Sequence, residues 1–160
     1  MIKEVKGDIL LTEAQAIAHG IAPHDHFDSG LALSLRENYP AMAKDFRHFC
    51  KLQNPSSGEV WMWGTVNNKR IFNLMTQEPA KGFNGHPGEA TLHNVNNSLK
   101  NLEKMVKKEG IKSLALPKLA TGYGKLEWED VLPLIEKRLG NLDIPIYIYS
   151  TYAKGEKAAE

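Results

Sequence analysis

With 160 residues, 42% hydrophobic and 24% charged, the chain has the size and composition of one ordinary globular domain with a full core. A net charge of +1 excludes the electrostatic footprint of a tight, non-specific nucleic-acid binder, although a small nucleotide needs only a local field. The single cysteine, Cys50, excludes an internal disulfide framework and fits a reducing compartment, and no apolar run approaches the ~18 residues of a membrane span.

The opening MIKEVKGDIL carries charges through its apolar pattern and has no signal-peptide core, so a cytoplasmic location is expected. Ile2 to Val5 alternates like a strand, and AQAIAHGIA (14–22) is an apolar run suited to a buried strand. PHDHFDSG (23–30) reads as a polar, turn-rich loop. From Gly30, the residues Leu31, Leu35, Met42, Phe46 and Phe49 fall near helical spacing, with a break at Tyr39-Pro40. NPSSG (54–58) is a turn, and EVWMWGTV and RIFNLMT read as two strands separated by the turn NNK (67–69).

Residues 77–90, QEPAKGFNGHPGEA, hold three glycines and two prolines, an extended loop of functional length. Leu92, Val95, Leu99, Leu102 and Val106 then step by three and four, predicting a long amphipathic helix that stops near Gly110. SLALP is a strand; Val131, Leu132, Ile135 and Leu139 mark a last helix, whose Pro133 suits a first turn and so suggests a start later than Trp128. IPIYIYS closes the sheet. Residues 1–153 are expected to form one domain and 154–160 a frayed, disordered tail. Strands alternating with helices predict an α/β fold, helices on both faces of a largely parallel sheet, with ligands at the strands' carboxyl ends.

That rule collects Gly7-Asp8 and the loops 23–30, 77–90 and 120–124 around one cleft. In LPKLATGYGKLEWEDV (116–131) two glycines between a strand and a helix permit positive φ and close backbone approach, and the helix N-terminus beyond them favours an anion. Ser29-Gly30 repeats the arrangement after an earlier strand. Two such openings suit a pyrophosphate between two sugars; an ordinary tight turn and ordinary N-capping by Asp28 or Ser29 fit each one taken alone. Asp8 offers a carboxylate to an exocyclic amine such as that of adenine, or else an Asx-type turn. HDHFD (24–28) and His86 place titratable groups in two loops; zinc would need a second cluster at ligand spacing, so neither metal nor cofactor is expected. His19, ending an apolar strand, reads first as a hydrogen-bonded core residue.

These segments resemble the macrodomain family of ADP-ribose-binding α/β/α modules, from KGDIL (6–10) to IYIYST (146–151). Leu126-Glu127-Trp128 after a glycine loop, and the spacing from His19 to Gly30-Leu31-Ala32, resemble the branch that contains the terminal ADP-ribose glycohydrolase and the DNA-ADP-ribose-removing antitoxins. GLALSLRENYPAMAKDF and GFNGHPGEA are most similar to the yeast ADP-ribose 1''-phosphate phosphatase. The resemblance implies a three-layer α/β/α fold with a mixed, largely parallel sheet. It implies that Asp8 holds the adenine amine and Ile9 offers its amide, that Gly30, Leu31 and Ala32 wall the pyrophosphate and distal ribose, and that Thr121, Gly122, Tyr123 and Gly124 wrap the pyrophosphate. Thr151 or Tyr152 would cover the adenine face.

The chain departs from the glycohydrolase branch at two places. A lysine follows the Thr at the end of that branch's middle strand; here Thr76 is followed by Gln77, and Lys81 is the nearest amine. The branch's second-loop acid corresponds to Gly124. The expected activity is hydrolysis of a 1'' substituent of ADP-ribose, first the phosphate, with de-ADP-ribosylation of protein or nucleic acid and non-catalytic reading as alternatives. Asp28 and His86 are the candidate general bases, and His19 is expected to orient the loop or contribute a proton.

Overall fold

The computed structural model describes residues 1–82 and 85–160. In chain order it contains β1 (Ile2–Gly7), a one-turn 3-10 helix (Ile9–Leu11), β2 (Ala16–Ile21), α1 (Gly30–Asn38), α2 (Pro40–Gln53), β3 (Val60–Gly64), β4 (Arg70–Met75), α3 (Leu92–Glu109), β5 (Leu114–Pro117), α4 (Trp128–Leu139) and β6 (Ile146–Tyr152). The strands form one six-stranded sheet in the order β1-β6-β5-β2-β4-β3. Only β3 runs antiparallel, as a hairpin with β4; the other pairings are parallel. This is the expected three-layer α/β/α arrangement with a mixed, largely parallel sheet.

Side-chain alternation explains the layers. Along β2, Ala16 and Ala18 face the cluster built on α3 and α4, while Ile17 and Ile21 face the clusters that hold Leu35 of α1 and Met42, Phe46 and Cys50 of α2. Within α3 the predicted spacing buries Val95, Leu99, Leu102 and Val106, each contributing about 1.5–3 kcal/mol of apolar burial. Thr91 caps that helix by accepting from the Asn94 amide at 3.0 Å, and Gly110 ends it at φ 63°. The break at Tyr39-Pro40 separates α1 from α2, with Pro40 in the first turn where its missing N–H is harmless.

Two expectations are corrected. Helix α4 begins at Trp128 and carries Pro133 inside its second turn, so the helix accepts the loss of one backbone bond rather than starting later. The segment 154–160, expected to fray, folds back onto the sheet: Ala158 packs on the cluster of Val5 and Tyr149, and the Glu160 carboxylate accepts from the Glu13 amide at 3.1 Å and the Tyr149 hydroxyl at 2.5 Å.

Parallel pairing places the carboxyl ends of β1, β6, β5, β2 and β4 side by side on one edge. At about 4.8 Å per strand, roughly 19 Å separates the first of these ends from the last, the scale of an extended dinucleotide-like molecule. The loop 77–90 leaves the same edge; Phe83 and Asn84 of its glycine-rich stretch lie outside the described residues. Two open depressions, one lined by Val106, Gly110 and Leu142 and the other by Met1, Gly140 and Pro145, lie at the opposite, amino-end edge.

Candidate functional site

Three loops are tied together at the carboxyl edge. A Cβ on Gly30 would stand 3.9 Å from Cε2 of Tyr123, so the loops after β2 and β5 meet. The Ala90 amide donates to Gly124 O at 3.0 Å, and the Gln77 amide donates to Ile21 O at 3.1 Å, which fastens the loop after β4 to both of the others. Lys125 pairs with Glu89 at 3.4 Å, but both side chains are exposed and the pair contributes little.

In the first of these loops Gly30 takes φ +58°, a conformation that favours glycine. Ser29 makes no side-chain cap, and the first helical bond runs from Leu33 N–H to Ser29 O. The amides of Gly30, Leu31 and Ala32 therefore have no acceptor within α1, at the positive end of its dipole.

The second loop reaches a similar result by other means. The expectation that its glycines supply positive φ is corrected: Ala120 (63°) and Lys125 (64°) take those conformations. Gly124 is required by packing, because a Cβ there would lie 2.5 Å from Ala120 O and 2.9 Å from Cβ of Ala90. A Cβ on Gly122 would meet nothing within 4 Å among the described residues. Bonds from Lys125 N–H to Gly122 O and from Leu126 N–H to Ala120 O close the turn, and the Thr121 hydroxyl donates to Lys118 O. Among the described residues the amides of Thr121, Gly122, Tyr123 and Gly124 donate to no protein group. The first turn of α4 holds Glu129 and Asp130, carboxylates that complement its dipole.

Beneath the first loop lie polar groups that the sequence did not separate. Asp25 accepts from the Ala22 amide through Oδ2 and from the Phe27 amide through Oδ1, each at 2.9 Å. Burial pushes its carboxyl up from the usual carboxylate range, and the nearby Asp28 charge adds to that. Phe27, at φ 53°, is buried between the His19 ring (centroids 6.2 Å apart) and Phe46 (5.2 Å). His19 is 1% exposed; its Nε2 lies 2.6 Å from Asn73 Oδ1. The Asn73 Nδ2 donates to Trp61 O, so the His19 proton is assigned to Nε2. Burial pushes its pKa down to about 4 against the bond to Asn73. The ring is therefore packed beneath the loop, against Phe27. Its Nδ1 and the Thr76 hydroxyl are buried without a partner among the described residues.

Asp8, 7% exposed, caps the 3-10 turn: Oδ1 accepts from the Leu10 amide at 3.0 Å. Its Oδ2 accepts from the Gly155 amide at 2.9 Å. Ile9 opens that turn with its side chain buried and its amide without an acceptor in the turn. Thr151 and Tyr152 are exposed at the end of β6, with Tyr152 level with Gly7.

Of the candidate reacting groups, Asp28 is exposed one residue before Ser29, and His86 is exposed in the third loop. Lys81 is exposed as well. Gln77, at the position of the branch's lysine, is tied down: its Nε2 donates to Gly88 O at 3.0 Å. Gly124, at the position of the branch's acid, has no room for a side chain. Among the described residues no three His, Cys, Asp or Glu side chains come together as a metal site.

The family model described as Macro domain matches residues 24–135. The chain is 26% identical over 157 residues to a DNA ADP-ribosyl transferase–DNA ADP-ribosyl glycohydrolase fusion protein of Thermosipho africanus, covering 91% of this chain but 40% of that protein. It is 25% identical over 150 residues to the ADP-ribose glycohydrolase OARD1 of Homo sapiens, covering 93% of this chain and 91% of the other. Among solved structures, the macrodomain of Thermus aquaticus DarG matches with a TM-score of 0.81 at 22% identity, over 94% of this chain and 98% of that one. Thermosipho africanus DarTG, solved in complex with ADP-ribose, matches with a TM-score of 0.80 at 22% identity, over 98% of this chain and 42% of that one.

Proposed function

The chain belongs to the Macro domain family, and from that premise we propose that it binds ADP-ribose and hydrolyses a substituent on the 1'' carbon of the distal ribose. The carrying observation is the meeting of Gly30 and Tyr123, which joins two stretches of uncommitted amides, 30–32 and 121–124. Backbone N–H groups flanking a helix N-terminus are the usual cradle of a phosphate. In this reading the diphosphate lies between them. The base extends along the strand ends to Asp8 and Ile9, with Thr151 or Tyr152 over its face, and the distal ribose points towards Asp28 and the third loop.

The substituent removed is the phosphate of ADP-ribose 1''-phosphate. Water attacks phosphorus and its proton passes to Asp28 or His86; the P–O bond to the 1'' oxygen breaks, that oxygen takes up a proton from the same base or from water, and ADP-ribose leaves with a 1'' hydroxyl beside inorganic phosphate. Such a reaction needs chiefly positioning and charge stabilisation, which amides supply, with a general base contributing about 10²–10⁴-fold. Support comes from Gln77 and Gly124: the groups that would form a lysine adduct with an acidic partner have no counterpart at those positions. A second reading is favoured by the names of the relatives, which are ADP-ribosyl glycohydrolases. There Asp28 would activate water for attack on the 1'' carbon of ADP-ribosylated protein or nucleic acid.

Titration with ADP-ribose, AMP and NAD tests the binding step. Release of inorganic phosphate from ADP-ribose 1''-phosphate, measured beside release of ADP-ribose from modified protein and DNA, separates the two reactions. Binding with no turnover of any substrate would make the domain a reader. Asp28→Ala and His86→Ala should lower kcat by about 100-fold while changing ADP-ribose affinity little; equal losses in both would remove these residues from the chemistry.

A further inference from the structure

The segment beyond β6 touches the base end of the groove through contacts that the proposed reaction does not use. The Ala153 amide returns to Gly7 O at 3.1 Å, and the Glu156 amide to Ala153 O at 3.1 Å. In the turn so formed Gly155, at φ +75°, donates to Asp8 Oδ2 at 2.9 Å, and the Asp8 amide donates to Glu156 O at 2.8 Å. With Oδ1 already held by the Leu10 amide at 3.0 Å, one amide grips each carboxylate oxygen. Rotation about the carboxyl group is thereby fixed, and each oxygen keeps a second lone pair for a ligand donor.

The turn is itself anchored. A Cβ on Gly7 would stand 2.8 Å from Ala158 N, so the absence of a side chain at Gly7 lets the segment lie against the strand. Lys3 donates to Ala159 O at 2.8 Å, Lys157 pairs with Glu13 at 2.6 Å, and the Thr12 hydroxyl donates to the Glu160 carboxylate. A segment with these fastenings is a strap, and two of its inward contacts, from Gly155 and to Glu156, are on Asp8.

We propose that residues 153–160 form a strap that orients the Asp8 carboxylate and so makes the site select a purine bearing a 6-amino group. The inference rests on the reading that Asp8 marks the base end. A carboxylate accepts from an amine and repels a carbonyl oxygen, so the discriminating pair is ADP-ribose and its hypoxanthine counterpart. Held carboxylates discriminate; freely rotating, solvated ones do so weakly, because the mismatched ligand then meets water instead.

Calorimetric titration of both compounds tests this. The full chain should prefer ADP-ribose by about tenfold or more. A chain ending at Ala153, and the full-length Gly7→Ala variant, whose added carbon displaces the backbone at Ala158, should show a preference of about threefold or less. Their affinity for the hypoxanthine compound should stay unchanged, whereas a merely structural role would weaken both compounds alike. Exchange of the Gly155 amide in the unaltered protein should slow on adding ADP-ribose and not on adding the other compound. Retention of the full-chain ratio in the variants, or an unmoved Gly155 amide, overturns the proposal alone. Absence of any preference in the full chain overturns the placement of the base at Asp8, and this proposal with it.

Discussion

The loops after β2 and β5 present the same thing, backbone amides without acceptors among the described residues, and support it differently. The first rests on inward-turned side chains: half-buried Asp25 holds two loop amides, and Phe27 is lodged between His19 and Phe46. The second rests on backbone bonds among Ala120, Gly122, Lys125 and Leu126, with Gly124 packed against Ala90. A loop built on buried titratable groups is vulnerable to protons, whereas one built on close backbone contact is vulnerable to added volume.

The largest expected effect falls on the first loop. Its His19 has a folded pKa of about 4 against 6.5 for the free group. Between those values the unfolded chain binds a proton that the folded chain refuses. The stabilisation is therefore full above pH 6.5 and is lost as pH falls towards 4, by about 3 kcal/mol. The raised carboxyl of Asp25 acts in the opposite sense. Urea midpoints at pH 7 and pH 4.5 should show the loss, and His19→Gln should flatten it. Faster amide exchange in 120–125 than in 23–30 on acidification would break the contrast.

Next comes Gly124→Ala, whose Cβ meets Ala120 O at 2.5 Å. Overpacking of this kind should destabilise by about 2 kcal/mol, and calorimetry should show ADP-ribose affinity falling with it. Gly30→Ala has space against Tyr123 but an unfavourable φ, so its thermal shift should correspond to about 1 kcal/mol. Gly122→Ala should be the smallest, within about 0.5 kcal/mol in stability, because nothing among the described residues lies within 4 Å of the added carbon. It should still weaken ADP-ribose binding if a ligand passes close to that amide; unchanged affinity would take Gly122 out of the site.

Much of the fold was legible because burial writes periodicity into sequence. The four residues of α3 that face the sheet recur at helical steps, and Pro40 announces a helix boundary by its chemistry. The carboxyl-edge loops were legible as places, through their glycines. Which glycine is needed for φ and which for space was not, because Ala120 and Lys125 accept left-handed conformations that composition does not signal. In HDHFD the sequence offers four polar groups alike; only the fold separates Asp25, turned inward, from Asp28, turned outward. The strap was read as a tail because its anchors are hydrogen bonds to Asp8, Thr12 and Tyr149, and these leave no apolar pattern.

The neighbour of β1 in the sheet is β6, with Ile2 opposite Ile146. During synthesis at roughly 5–20 residues per second, the first strand therefore waits on the order of ten seconds before its pairing edge exists. Helices α1 to α3 and the β3–β4 hairpin, whose own contacts are local, are synthesised in that interval. The closing step is the slow, long-range one, and chains interrupted before β6 emerges would carry an open strand edge, a natural target for holdase chaperones.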